Sequence, residues 1–237
     1  MADQEAGIAS FSSISQRSEG HAQLNTKYYL TAGLEGVEGQ DYRSIRSFSK
    51  AIDAHCNAFR SGNWRAGQYL VFLSVTQKHI ADIHHLRERR HKGLGWMYLK
   101  SKGVLIVKII LSGIQEMVYL EFGSRLRHKA DQMGLRCGLC GIGRTSTTFE
   151  GLIGQKEGDS TFKPMRCRRP TDWLTIVFEC GLSESLECLR VDSRWWLENS
   201  TKVRIVLLLS NGKCSTHRIG ASLVTSLTHL PWSPQSQ

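Results

Sequence analysis

Proline is scarce, four residues in 237 against 22 glycines, so the chain is neither collagen-like nor a Pro-rich low-complexity segment. No apolar run reaches 18 residues. The longest compact one, 103–111, is broken by Lys108, which excludes a membrane-spanning helix. The first twenty residues lack a basic region followed by an apolar core, so no secretory signal is visible. An intracellular chain, cytoplasmic or nuclear, is therefore expected, with its seven cysteines as reduced thiols. Phosphate-loop, GxSxG and HExxH patterns are missing. Cys137 and Cys140 form a single CxxC without a second, whereas structural zinc needs four ligands. A plain turn is the simpler reading of that pair.

What is present is an ordinary globular composition, 41% hydrophobic and 22% charged, with a net charge of +10. Residues 1–60 hold six Lys/Arg and seven Asp/Glu, a net −1, so residues 61–237 carry +11. The basic excess thus sits in the folded part. Such a domain attracts polyanions, DNA or RNA first; a solvated basic surface without a partner is the bland alternative. The segment 84–92, HHLRERRHK, concentrates that charge, and Arg87, Arg89 and Arg90 are candidates for tracking phosphates. An exposed helix face would look the same.

Residues 1–40 are rich in Ser, Gly, Gln and Ala and read as a disordered arm. Residues 41–230 read as one α/β domain. A helix is expected over 44–60, a strand over 67–75, and a helix or charged loop over 76–92. The β-branched run VLIVKII (104–110) predicts a buried strand, and the apolar stripe over 114–133 a helix stopped by Gly134. Further on, DWLTIVFECG (172–181) and KVRIVLLLS (202–210) predict strands around a helix over 183–200, capped by Ser183. A strand–helix–strand run of this length implies a parallel crossover. Residues 217–224 suit an edge strand.

Three carboxylates stand at informative places. Glu179 closes a strand, Asp159 follows a glycine just before an extended piece, and Glu116 begins the helix after VLIVKII. Strand ends of an open α/β sheet converge on one edge. Two or three acidic groups there suit Mg²⁺, which takes one or two carboxylates, waters and phosphate oxygens, and can activate water against a phosphodiester. The competing reading makes Asp159 a turn residue and Glu179 an exposed or paired strand residue.

The segments EGDSTFKP and PTDWLTIVFECGLSESLECLRVDSRWWLENSTKVRIVLLLS resemble a widespread group of filamentous-fungal proteins of uncharacterised function. So does the upstream VLIVKIILSGIQEMVYLEFGSRL with ADQMGL. That group in turn resembles the PD-(D/E)XK, restriction-endonuclease-like nuclease superfamily. The likeness spans about residues 95–222. It implies a mixed central sheet with helices on both faces. It implies that Asp159 and Glu179 are the two metal-binding acidic positions. Glu116 then matches the acidic member of a helical His-Glu pair, although Gln115 replaces the His. Arg144 matches an arginine after a Gly-rich strand.

The chain departs from the motif at its basic position. The superfamily pattern wants Lys two residues after the Glu, and this chain has Gly181. In related families the cation moves to the next helix, where Arg190 and Arg194 are the candidates. Arginine holds its proton, so it would stabilise charge and not act as a base. Two functions follow as expectations. One is Mg²⁺-dependent phosphodiester hydrolysis on nucleic acid by Asp159 and Glu179, assisted by Glu116 and an arginine. The other is a catalytically inactive binding module of the same fold, for nucleic acid or protein.

Overall fold

The apolar patterning of residues 94–109 builds the centre of the molecule. Successive strand side chains point to opposite faces. In LGWMYL and VLIVKI both faces are apolar, so both must be covered. The computed structural model describes residues 27–63, 67–91, 93–109, 113–135, 138–143, 148–164, 174–181, 186–200, 202–211 and 221–227. In chain order the elements are β1 (Gly39–Asp41), α1 (Ile45–Arg60), β2 (Tyr69–Leu73), α2 (Gln77–Arg90), β3 (Leu94–Leu99) and β4 (Val104–Ile109). Next come α3 (Gly113–Gln132), β5 (Leu139–Gly143), β6 (Phe149–Glu150), β7 (Gly154–Lys156) and β8 (Ser160–Pro164). The last are β9 (Ile176–Gly181), α4 (Leu186–Asn199), β10 (Ile205–Asn211) and β11 (Ala221–Leu227).

The strands form two mixed sheets, where the resemblance implies one central sheet. The first has the order β1-β2-β4-β3-β7-β6 and the second β11-β10-β9-β8-β5. In the first, β1 and β2 are parallel and the other neighbours antiparallel. In the second, β9 and β10 are parallel, joined through α4 as the strand–helix–strand pattern predicts. β11 pairs antiparallel with β10 and lies at the sheet edge, a few residues beyond the expected position.

Helices cover both sheets. Phe48 and Ile52 of α1, with Ile80 and Ile83 of α2, pack on Phe72, Trp96, Leu105 and Val107 of the first sheet. Phe122 and Leu126 of α3 pack on Phe162, Phe178 and Leu207, the outer face of the second sheet. Between the sheets lies α4. Its Leu189, Trp195 and Trp196 meet Met97, Val104 and Ile106 of one sheet and Val177, Val206 and Leu208 of the other. The WW dipeptide is therefore core, with both rings fully buried and set edge to face at 5.0 Å. Glycine ends α3 as expected: Gly134 takes φ +77° while Leu135 N–H returns to the Ala130 carbonyl. A capping box at Thr76 and His79 settles 76–92 in favour of a helix.

Composition alone misplaces the N-terminal boundary. Residues 1–26 lie outside the described residues, but 27–41 are built into the fold. Tyr29 is fully buried and its hydroxyl donates to Glu198 at 2.9 Å, while β1 extends the first sheet. Tyr29, with Tyr28, Leu30, Leu34 and Val37 packed against the same core, supplies the apolar area that an average over residues 1–40 hides.

Gly154 sets the approach of β7 to β3. A Cβ there would overlap the Tyr98 carbonyl oxygen, which belongs to backbone and cannot swing aside. Gly154→Ala is expected to cost about 1–3 kcal/mol by forcing the two strands apart. Chemical denaturation would check it, and an unchanged midpoint would show that the strands do not pack this closely.

Candidate functional site

Strand register decides which polar residues enter the space between the sheets. Lys108 shares its face of β4 with Val104 and Ile106, both part of the inter-sheet core. Lys156 is the register partner of Met97, another member of that core. From the second sheet, Glu179 follows Val177 on the inner face of β9, and Asp159 immediately precedes β8. Asp192 lies one helical turn before Trp196 on the buried side of α4.

These five side chains form one chain of alternating charge. Asp159 Oδ2 lies 3.3 Å from Lys108 Nζ, and Lys108 Nζ 3.7 Å from Asp192 Oδ2. Asp192 Oδ1 then receives a 2.6 Å bond from Lys156 Nζ, which is 3.5 Å from Glu179 Oε1. Trp196 Nε1–H donates to the same Glu179 oxygen at 2.6 Å. The Cys180 N–H donates to Asp159 at 2.9 Å, and Lys108 donates to the Cys180 carbonyl at 3.1 Å. No member is more than 7% exposed. Buried charges persist only when paired in this way.

The electrostatics follow from that burial. Burial raises the Glu179 carboxyl; Lys156 pulls it back, Asp192 and Asp159 push it up again, and it settles at about 8. Burial alone would lower the Lys108 ammonium, but Asp159, Asp192 and Glu179 outweigh it and hold the proton on. Lys156 is raised for the same reason by Asp192 and Glu179. Burial also pushes the Cys180 thiol up to about 12, so it is an inert core group.

The sequence-derived candidates divide. Asp159, just before β8, and Glu179, in the adjacent β9, come together. Glu116 lies in the first turn of α3, on the outer side of the second sheet, and its side chain is outside the described residues. Arg144 is also outside them. Arg190 and Arg194 are half-exposed and pair with Glu187 and Glu198 along α4; Arg194 also stacks on Tyr28 at 4.3 Å. The cations beside the carboxylates are Lys108 and Lys156 instead. Arg87 is buried, paired with Glu157 and stacked on Trp96 at 5.3 Å, so it ties α2 to the sheet rather than facing solvent. Arg89 and Arg90 are exposed in the last turn of α2. Of the CxxC pair, Cys137 is outside the described residues and Cys140 lies in β5.

Signals for the missing residues exist in the sequence. Lys108 interrupts a strand whose neighbours are all apolar, and a charge buried there must have a partner. Asp192 falls at the spacing of Leu189 and Trp196, on the apolar side of a helix.

No family model matches the chain, and no curated protein matches it in sequence. The reading of the site rests on its geometry.

A divalent cation does not fit the cluster as folded. Among the described residues no three His, Cys, Asp or Glu groups are arranged to hold a metal ion. The three carboxylates are interleaved with two ammonium groups. A crevice of about 20 Å³, lined by Tyr29, Gly33, Leu34, Met97, Cys188 and Asp192, touches the cluster at Asp192 alone. That is room for roughly one water molecule.

Proposed function

We propose that the chain is a restriction-endonuclease-like domain that binds nucleic acid and whose carboxylate cluster is catalytically silent as folded. The observation that carries this reading is the closed run Asp159–Lys108–Asp192–Lys156–Glu179, charge-compensated and buried. With Glu179 protonated the two lysines balance Asp159 and Asp192; counted formally with Glu179 ionised, the cluster sums to −1, two lysines against three carboxylates. Subtracting it from the total of +10 leaves +11 on the rest of the chain. Exposed cations such as Arg89 and Arg90 on α2 and Arg127 on α3 belong to that excess. Cationic surface of this kind neutralises phosphates and releases counterions.

Binding of labelled DNA and RNA in EDTA over a salt series tests this. A log–log slope near −0.9 per phosphate neutralised is expected, reduced by about one to two in the double variant R89A/R90A. No binding at low salt would refute the reading.

A second reading, metal-dependent phosphodiester hydrolysis, is favoured by Lys156. Its ammonium lies 3.5 Å from Glu179 and supplies the group that Gly181 lacks. Incubation of plasmid and single-stranded DNA with Mg²⁺, Mn²⁺ or EDTA, beside Glu179→Gln, decides between the two. No cutting by the folded parent is expected. Metal-dependent cutting that the variant loses would establish the second reading.

A further inference from the structure

We propose that Lys108 and Lys156 are resident counter-cations of the cluster, standing in for a divalent metal, so that the native chain binds neither Mg²⁺ nor Mn²⁺ there. This rests on reading Asp159 and Glu179 as a nuclease-like acidic pair. The two lysines come from the first sheet, across the core from that pair. Each bridges one member of it to Asp192: Lys108 from Asp159, Lys156 from Glu179. Lys108 has a third acceptor in the Cys180 carbonyl at 3.1 Å. The ammonium groups thus take up the carboxylate oxygens that a hard cation would claim. Mg²⁺ also needs oxygens at about 2.0–2.1 Å in a near-octahedral shell and keeps several waters, whereas here the carboxylate oxygens face two ammonium groups in a cluster no member of which is more than 7% exposed. Burial alone would strip the lysines, but the carboxylates outweigh it and keep both charged. One acceptor remains unused: Asp192 Oδ2, buried and 3.7 Å from Lys108, makes no hydrogen bond. Deleting one ammonium would leave that oxygen and its neighbours as a ready divalent-cation site.

Thermal melts with MnCl₂ or EDTA test the idea in the full chain. The parent Tm should not move between EDTA and about 10 mM Mn²⁺ beyond a general salt effect. Lys156→Met should melt lower and recover saturably with Mn²⁺, by roughly 5–10 °C at a hundredfold excess over Kd. The double variant K156M/D192N, which removes one charge of each sign, should melt higher than K156M without metal and respond less to Mn²⁺. A saturable Mn²⁺-dependent rise in the parent, lost in Asp159→Asn, would overturn the proposal. So would a folded Lys156→Met that ignores Mn²⁺. If Lys156→Met does not fold in EDTA, recovery on refolding in Mn²⁺ supports the proposal, and the parent melts decide it in either case. Nucleic-acid binding in EDTA is read separately, so its failure would sink the proposed function and leave the melts standing.

Discussion

Lys108→Met should cost roughly 3–5 kcal/mol of folding stability, although methionine fills nearly the same volume and is the more apolar side chain. The substitution takes a cation away from two buried carboxylates. Asp159 keeps the Cys180 N–H at 2.9 Å but loses the ammonium at 3.3 Å, and Asp192 loses the ammonium at 3.7 Å while keeping Lys156 at 2.6 Å. The Cys180 carbonyl loses a donor as well. Uncompensated charge in a dry interior is the expensive state, and the cost follows from what remains behind. The double variant K108M/D159N removes one charge of each sign and should therefore cost less than the sum of its single changes. As a contrast, Arg190→Ala breaks a half-exposed pair with Glu187 and should cost less than about 1 kcal/mol. Urea denaturation of the parent, Lys108→Met, Asp159→Asn, the double variant and Arg190→Ala measures all of this. A Lys108→Met cost below about 1 kcal/mol, or strict additivity in the double variant, would show that the cluster is hydrated rather than buried.

Much of the fold is legible in the sequence because its signals are local. VLIVKI, IVFECG and IVLLLS alternate or run apolar as strands must, and Gly134 ends α3 where its conformational freedom is needed. The split into two sheets is not legible, because pairing partners are chosen by long-range packing that no local pattern encodes. The site follows the same division. Asp159 and Glu179 stand out by resemblance and strand position, and the structure sets them at neighbouring strands, Asp159 just before β8 and Glu179 in β9. The resemblance puts their cations on the neighbouring helix, within the same strand–helix unit. They come instead from β4 and β7 of the other sheet, 51 residues before Asp159 in the case of Lys108 and 23 before Glu179 in the case of Lys156. A strand pattern reports that Lys108 is enclosed, but not which carboxylates enclose it. In the same way, three-residue β1 and the buried Tyr29 escape a reading by composition, which averages over residues 1–40 although only a short stretch of them packs on the core.

Stability should fall as pH rises from about 4.5 to about 8, and Glu179→Gln should remove that part of the pH dependence. Glu179 has an ordinary value of 4.5 when unfolded and about 8 in the fold, raised first by burial. Between those limits the native state holds a proton that the unfolded state has lost. Each such proton lowers unfolding free energy by up to about 1.4 kcal/mol per pH unit as pH rises. The contribution is complete below the unfolded value and gone above the folded one. Charge counting gives the same sign. With Glu179 protonated, Lys108 and Lys156 balance Asp159 and Asp192, and the buried cluster is neutral. Once Glu179 ionises, the interior carries −1. Glutamine mimics the neutral acid at every pH and keeps an oxygen for the Trp196 N–H. The variant should thus match the parent near pH 5 and exceed it at pH 9, by an amount on the order of a few kcal/mol. Urea midpoints of both proteins at pH 5, 7 and 9 provide the measurement, and parallel curves would mean that Glu179 is already ionised in the native cluster at neutral pH. In that case the five-residue run would carry a net −1 inside the protein, and the balance that makes Lys108 and Lys156 sufficient counter-cations would be lost.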